Sequence, residues 1–300
     1  VNEHLRLSGE VRDALEHGAP VVALESTIIS HGFPYPANVE CALESERVAR
    51  QEGVVPATVA VLGGRLCVGL DRGQIEHLAT AKPIAKVSRR DLATIVARGG
   101  DGATTVAGTM AIARMAGIRV FATGGIGGVH RGAQQTFDIS ADLLELGRTD
   151  VAVVCAGAKS VLDLGLTLEV LETHGVPVLG FRTDEFPAFY SRTSGLGVDA
   201  RCDTAEEVAA VLRARSELGL GGGIVVANPI APEHEIPRPT LDAWTSAALD
   251  DADRSGVHGK DVTPFLLARL HELSDGATEE ANKRLVWSNV RLAARIAKAL

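Results

Sequence analysis

Short runs of consecutive apolar residues alternate along the chain with stretches in which apolar positions recur every three or four residues. Val21–Leu24, Thr58–Leu62, Arg119–Ala122, Asp150–Cys155, Val176–Phe181 and Gly223–Ala227 read as strands. They are apolar at successive positions rather than alternating, as strands are when both faces of a sheet are covered. The longer period predicts helices at about Ala37–Gln51, Arg89–Ala97, Thr105–Met115, Asp138–Leu146, Val161–Thr173 and Ala205–Leu218. Ser88 with Asp91 three residues on is a helix-start signature. Gly63-Gly64, between Leu62 and the apolar run Leu66–Leu70, signals a hairpin and therefore one antiparallel pair. Alternating strands and helices predict an α/β fold: a three-layer α/β/α sandwich around a mixed, mostly parallel sheet.

Beyond about Pro237 the strand signals stop, and Leu241–Ala252, Val262–Leu273 and Thr278–Ala299 carry the helical period. The expectation is one catalytic domain over residues 1–300, with a helical C-terminal segment at about 237–300 packed on it. Pro229, Pro232, Pro237 and Pro239 predict a stiff loop joining the two parts.

Composition narrows the class. Hydrophobic residues make up 46% and charged residues 23%, enough for an ordinary globular core able to hold a buried site. The net charge of −8 argues against nucleic acid as a partner, since that binding rests on Lys and Arg neutralising phosphates. It leaves room for a small phosphorylated ligand, which needs only a local cradle. Cys41, Cys67, Cys155 and Cys202 are widely separated, so a reducing, cytoplasmic setting is expected, with Cys155 a small core residue. The first residues lack the apolar stretch of a signal peptide, and no run approaches the ~20 apolar residues of a membrane helix.

In open α/β folds reactive groups collect where strands end and their loops converge. Five segments fit that rule. Glu25 ends the run Val21–Leu24, where a carboxyl group suits a general acid; a salt-bridged or solvated strand end is the alternative. Lys86 to Asp91 is a polar cluster before a helix, fit for an anion or for a simple cap. The Gly-rich stretch Thr123 to Gly132 would let backbone N–H groups approach a phosphate, with His130 and Arg131 in support, although it is neither a P-loop nor G-x-G-x-x-G. Asp138 and Asp142 share one face of the expected helix and would suit a hard divalent cation, unless Asp138 merely caps it. Lys159 follows a buried strand through a turn of small residues, where a desolvated amine is a nucleophile for a sugar carbon; a lysine reaching to water from a helix start is the alternative.

The joint wording of these segments is more specific than any one of them. Leu24-Glu25-Ser26-Thr27-Ile28-Ile29-Ser30-His31-Gly32, Lys86-Val87-Ser88-Arg89-Arg90-Asp91-Leu92, Thr123 through Gly132, Asp138-Ile139-Ser140-Ala141-Asp142-Leu143 and Cys155-Ala156-Gly157-Ala158-Lys159-Ser160 resemble the pseudouridine-5′-phosphate glycosidase family. The resemblance runs from about Leu15 to Ala294 and is looser towards the C-terminus. It implies a homotrimer binding one manganese ion per subunit, and a lyase that reversibly cleaves pseudouridine 5′-phosphate to uracil and ribose 5-phosphate. By resemblance Glu25 is the proton donor and Lys159 the nucleophile, forming a ring-opened imine. Lys86, Val106, Ser140, Ala141 and Asp142 contact substrate, and Asp138 holds manganese, largely through water. Thr123, His130 and Arg131 are candidates for the phosphate end, and Asn282 for a uracil or sugar contact. Rival readings are another imine-forming phosphosugar lyase or aldolase, and a non-catalytic sugar-phosphate binding module.

Overall fold

Eleven strands and thirteen α-helices follow the expected alternation in the computed structural model, which describes residues 2–257 and 262–300. The strands are β1 (Leu5–Leu7), β2 (Val21–Leu24), β3 (Val55–Leu62), β4 (Arg65–Val68), β5 (Ala85–Val87), β6 (Gly102–Thr104), β7 (Val120–Ala122), β8 (Ala152–Cys155), β9 (Val178–Phe181), β10 (Ala200–Cys202) and β11 (Ile224–Ala227). The helices are α1 (Gly9–Glu16), α2 (Thr27–His31), α3 (Ala37–Gln51), α4 (Arg72–Thr80), α5 (Leu92–Ala97), α6 (Val106–Ala116) and α7 (Ala133–Thr136). They continue with α8 (Ala141–Leu146), α9 (Leu164–Thr173), α10 (Ala205–Glu217), α11 (Arg238–Arg254), α12 (Val262–Leu273) and α13 (Ala277–Ala299).

The main sheet runs β3-β2-β7-β8-β11-β9-β10, every pair parallel. All four residues of β2, β8 and β11 are buried, the physical reason for their continuous apolar sequence. β3 is long enough to serve two sheets. Its first half pairs with β2, and its second half pairs antiparallel with β4 and β6, making a small wing completed by β1 and β5. The hairpin stands as expected: Leu62 faces Arg65, and Gly63 and Gly64 sit at φ +54° and +69°, the left-handed pair of a type I′ turn.

The C-terminal segment belongs to the core. α13 crosses β2, β7 and β8 between α3 and α10, burying Leu285, Val290, Ala293 and Ile296, while α6 packs on α8 and α8 on α9. Mixed sheet, helices on both faces and a helical C-terminus are therefore as read from the sequence. All four cysteines are free thiols, and burial pushes the Cys155 thiol up to about 12. Among the described residues no helix is long and apolar enough to cross a membrane.

Several boundaries move. Pro239 lies in the first turn of α11 instead of the loop, a position where its missing N–H costs nothing. The helix expected from Asp138 starts at Ala141, because Ile139 is drawn into an antiparallel bridge with Val129 and Ser140, itself extended, is the cap. Asp138 and Asp142 thus do not share a helical face, nor does Asp138 cap α8. The helix expected from Val161 starts at Leu164, capped by the Asp163 side chain, so Lys159 stands in a loop and not at a helix start.

Candidate active site

Neighbouring strands β2 and β7 leave the sheet in opposite directions: the chain passes from β2 to β3 on one side and from β7 to β8 on the other. Loops diverge at such a point and leave a crevice at the strand ends. Three residues that follow these strands meet there: Glu25 after β2, Thr123 after β7 and Lys159 after β8.

Glu25 is held from both sides. The Thr27 and Thr123 hydroxyls each donate to one of its carboxyl oxygens. Behind it the fully buried Ser26 hydroxyl donates to the Val59 carbonyl at 2.6 Å and accepts from the Thr104 N–H at 2.9 Å. The junction of β2, β3 and β6 is thereby fixed one residue from the acid. Lys159 is aimed by Gly157, at φ +84°, where a Cβ would lie 2.2 Å from the Pro187 carbonyl oxygen; no other residue fits that bend. The Lys159 N–H donates to the Ile126 carbonyl and the Ile126 N–H to the Gly157 carbonyl, each at 3.1 Å, which zips the lysine loop to the Gly-rich loop.

These groups border a cavity of about 410 Å³ lined by Glu25, Thr27, Lys86, Val106, His130, Asp138, Ser140, Ala141, Asp142 and Lys159, among others. Lys86 enters from β5 and Val106 from the first position of α6, whose N-cap is the Thr105 side chain. A smaller chamber of about 70 Å³ adjoins it, sharing Glu25, Thr27, Lys86 and Lys159 as a common wall. Ile28, Phe189, Leu267, His31 and Asn282 also line this chamber, and the buried Asn282 amide oxygen accepts no hydrogen bond from the described residues.

Both signs of charge meet in the cavity, Lys86, Arg90 and Lys159 against Glu25, Asp138 and Asp142. Burial first, then the positive charges of Lys159 and Lys86, hold the His130 imidazole below its ordinary range, against the opposite pull of Asp138 3.9 Å away. His31 is lowered in the same way by burial and Lys86. Two lysines therefore act together in one partly desolvated space, inside a chain of net charge −8.

Nine of the twelve expected site residues line the larger cavity and Asn282 the smaller one. Two lie elsewhere. Thr123, expected at a phosphate, is buried behind Glu25 and orients it. Arg131 opens on a separate cleft with Asp242 and Arg238. Half of the N–H groups of the Gly-rich loop, expected to cradle a phosphate, are already engaged. The N–H groups of Thr123, Ile126, Gly127, Val129 and His130 are all bonded within the protein. Its glycines serve close packing instead: a Cβ on Gly127 would lie 2.2 Å from the Ser140 hydroxyl.

Asp142 explains that packing. Its two carboxylate oxygens accept from the Ala107 N–H at 2.9 Å and the Gly127 N–H at 2.8 Å, tying α8 to the start of α6 and to the Gly-rich loop. Sequence reasoning missed this clamp, and it missed Asn289. The fully buried Asn289 amide donates to the Thr123 carbonyl at 2.8 Å and accepts from Asn228, so α13 grips the end of β7. Its one available signal was the spacing: Asn282 and Asn289 lie seven residues apart, two turns along the same helical face.

Among the described residues no three His, Cys, Asp or Glu converge on one point. With both Asp142 oxygens engaged, Asp138 is the carboxylate left for a cation beside Ser140. One hard oxygen ligand in an open polar cavity fits an ion that keeps most of its waters, as magnesium-like ions do.

A parallel α/β sheet with lysines, an oriented acid and a polar cavity at its topological switch point is the layout of an enzyme for a small polar ligand. Residues 10–299 match the model of the family described as indigoidine synthase A like protein. A pseudouridine-5′-phosphate glycosidase of Hahella chejuensis is 59% identical over 298 residues, covering 99% of this chain and 98% of that one. One of Geobacillus kaustophilus is 57% identical over 300 residues, the full length of both. Among solved structures, the prealnumycin C-glycosynthase AlnA in complex with ribulose 5-phosphate has a TM-score of 0.93 at 41% identity, covering 100% of this chain and 98% of that one. An indigoidine synthase A-like protein of Thermotoga maritima has a TM-score of 0.89 at 36% identity, covering 98% and 95%. This chain belongs to the pseudouridine-5′-phosphate glycosidase family.

Proposed function

We propose that this chain cleaves the carbon–carbon glycosidic bond of pseudouridine 5′-phosphate, consuming water and releasing uracil and ribose 5-phosphate. The observation that carries the proposal is the shared wall: Glu25 and Lys159 border both the charged larger cavity and the less polar chamber beside it. A sugar phosphate in the first and a base in the second would place the joining bond between acid and amine.

The base is joined through carbon, a poor leaving atom, so covalent capture divides one hard step into easier ones. Glu25 protonates the ribose ring oxygen as the Lys159 amine attacks C1′ and the ring C–O bond breaks. The Thr27 and Thr123 hydroxyls can turn from donors to acceptors and keep the carboxyl oriented in either protonation state. The attacking nitrogen gives up a proton, the uracil carbon takes one up, and the amine lone pair expels uracil to leave an imine between Lys159 and C1′. Water adds to that carbon, the amine departs, and ribose 5-phosphate is freed. Run backwards, the same groups join base to sugar. Asp138 would hold a divalent ion such as manganese through shared waters, and a bound ion would neutralise and orient oxygen-rich ligand groups. Asp138→Asn should then raise the manganese concentration needed for half-maximal turnover at least tenfold.

The test is direct. Pseudouridine 5′-phosphate should yield uracil and ribose 5-phosphate in equal amounts, read by chromatography, and Lys159→Ala should abolish this while the protein stays folded. Borohydride added with ribose 5-phosphate should leave a sugar adduct on Lys159, located by peptide mass spectrometry. Full turnover by Lys159→Ala would remove the covalent mechanism. Cleavage of other sugar phosphates in place of pseudouridine 5′-phosphate would favour an aldolase.

A further inference from the structure

The opposite rim of the sheet carries a second cavity, of about 510 Å³, where α6 and α10 end and β8 and β11 begin. Arg89, Arg114, Arg148 and Arg215 line it, and Asp150 is the single carboxylate among its lining residues. Four guanidinium groups thus converge on one concavity of a protein whose net charge is −8.

Intramolecular partners account for only part of this. Arg89 pairs with Glu145 at 2.5 Å, and Arg215 donates to the Gly175 carbonyl at 3.0 Å. Arg114 and Arg215 also sit in the last turns of α6 and α10, where the helix dipole favours a cation. That explains each separately, not why they face one space. Asp150 leans towards Arg119, 3.9 Å away. Among the described residues, Arg114 and Arg148 have neither an ion pair nor a side-chain hydrogen bond.

We infer that this cleft is a second binding site, separate from the catalytic cavity, for a small anion carrying more than one phosphoryl charge. The planar guanidinium fork matches phosphate oxygens two at a time, and two such forks without partners ask for a multiply charged ligand. The volume lies within the few hundred to about 1,000 Å³ typical of small-molecule sites, which favours a compact ligand over an acidic protein segment.

Pyrophosphate is the probe, with binding to the intact protein read by calorimetry in the absence and presence of saturating ribose 5-phosphate. Pyrophosphate should bind in both cases, and Arg114→Ala/Arg148→Ala should weaken it on the order of tenfold for each guanidinium removed. Turnover without pyrophosphate should be unchanged in that variant. Arg89 is kept, because its bond to Glu145 supports α8 and the catalytic cavity. Displacement by ribose 5-phosphate, or equal affinity in the double variant, would overturn the inference. So would a wild-type protein that ignores pyrophosphate yet loses its oligomeric state on the double substitution, which would assign the cleft to a second copy of the chain. Because binding is read directly, the result holds whatever the catalytic cavity turns over.

Discussion

Asp142→Asn separates two roles that the site allows for this residue. The carboxylate is 6% exposed and accepts one backbone N–H on each oxygen, from Ala107 at 2.9 Å and Gly127 at 2.8 Å. The amide is nearly the same size but carries one acceptor oxygen, so its NH₂ must face one of the two N–H groups. One hydrogen bond to a charged group disappears, worth roughly 1.5–3 kcal/mol, and a buried N–H is left unmatched at about 1–3 kcal/mol. These overlap, so the net loss should be about 3 kcal/mol, which lowers Tm by about 5 °C in a chain of this length. The start of α6 and Gly127 both border the cavity, and their displacement should cut kcat/KM about 100-fold. Thermal unfolding and steady-state kinetics on the same preparation decide the matter. A residue whose chief task is to touch substrate would raise KM with Tm unchanged. A variant melting within about 1 °C of the parent would refute the clamp.

Thr123→Val keeps shape but removes one donor from Glu25 and should lower kcat about tenfold with KM little changed; an equal loss confined to KM would instead support a ligand contact. Gly157→Ala adds a Cβ against the Pro187 carbonyl at a left-handed φ and should cost more than about 2 kcal/mol and most of the activity, measured by denaturant unfolding and uracil release. The His31 imidazole is held below its usual 6.5 by burial and Lys86, so the unfolded chain binds the proton more readily. Its cost to stability is absent above pH 6.5 and grows as pH falls through the lowered folded value. His31→Gln should therefore flatten the acid side of a Tm–pH curve; parallel curves for parent and variant would contradict the assignment.

What could be read from the chain follows from the range of the forces involved. Six strands were legible because burial on both faces writes a continuous apolar run, and the hairpin because two left-handed residues in a row demand Gly63-Gly64. The wing strands Ala85–Val87 and Gly102–Thr104 were not, since three residues are too few to show any period. Glu25 and Lys159 could be picked out because one directly follows a buried strand and the other follows one through a short turn of small residues, a property of neighbouring residues. The groups that orient them act across long stretches of chain: Thr123 reaches Glu25 over 98 positions, and Asn289 reaches Thr123 over 166. Nothing near Thr123 distinguishes a hydroxyl aimed at a carboxyl from one aimed at a phosphate. The Asp138 and Asp142 pair shows the sharper failure. Their four-residue spacing implies a shared face only if the intervening backbone is helical, and the bridge from Ile139 to Val129 that keeps it extended is a contact no local pattern announces. That extended stretch sends Asp138 to the open cavity and leaves Asp142 to hold the walls. Two residues of extended backbone thus give two identical side chains different work.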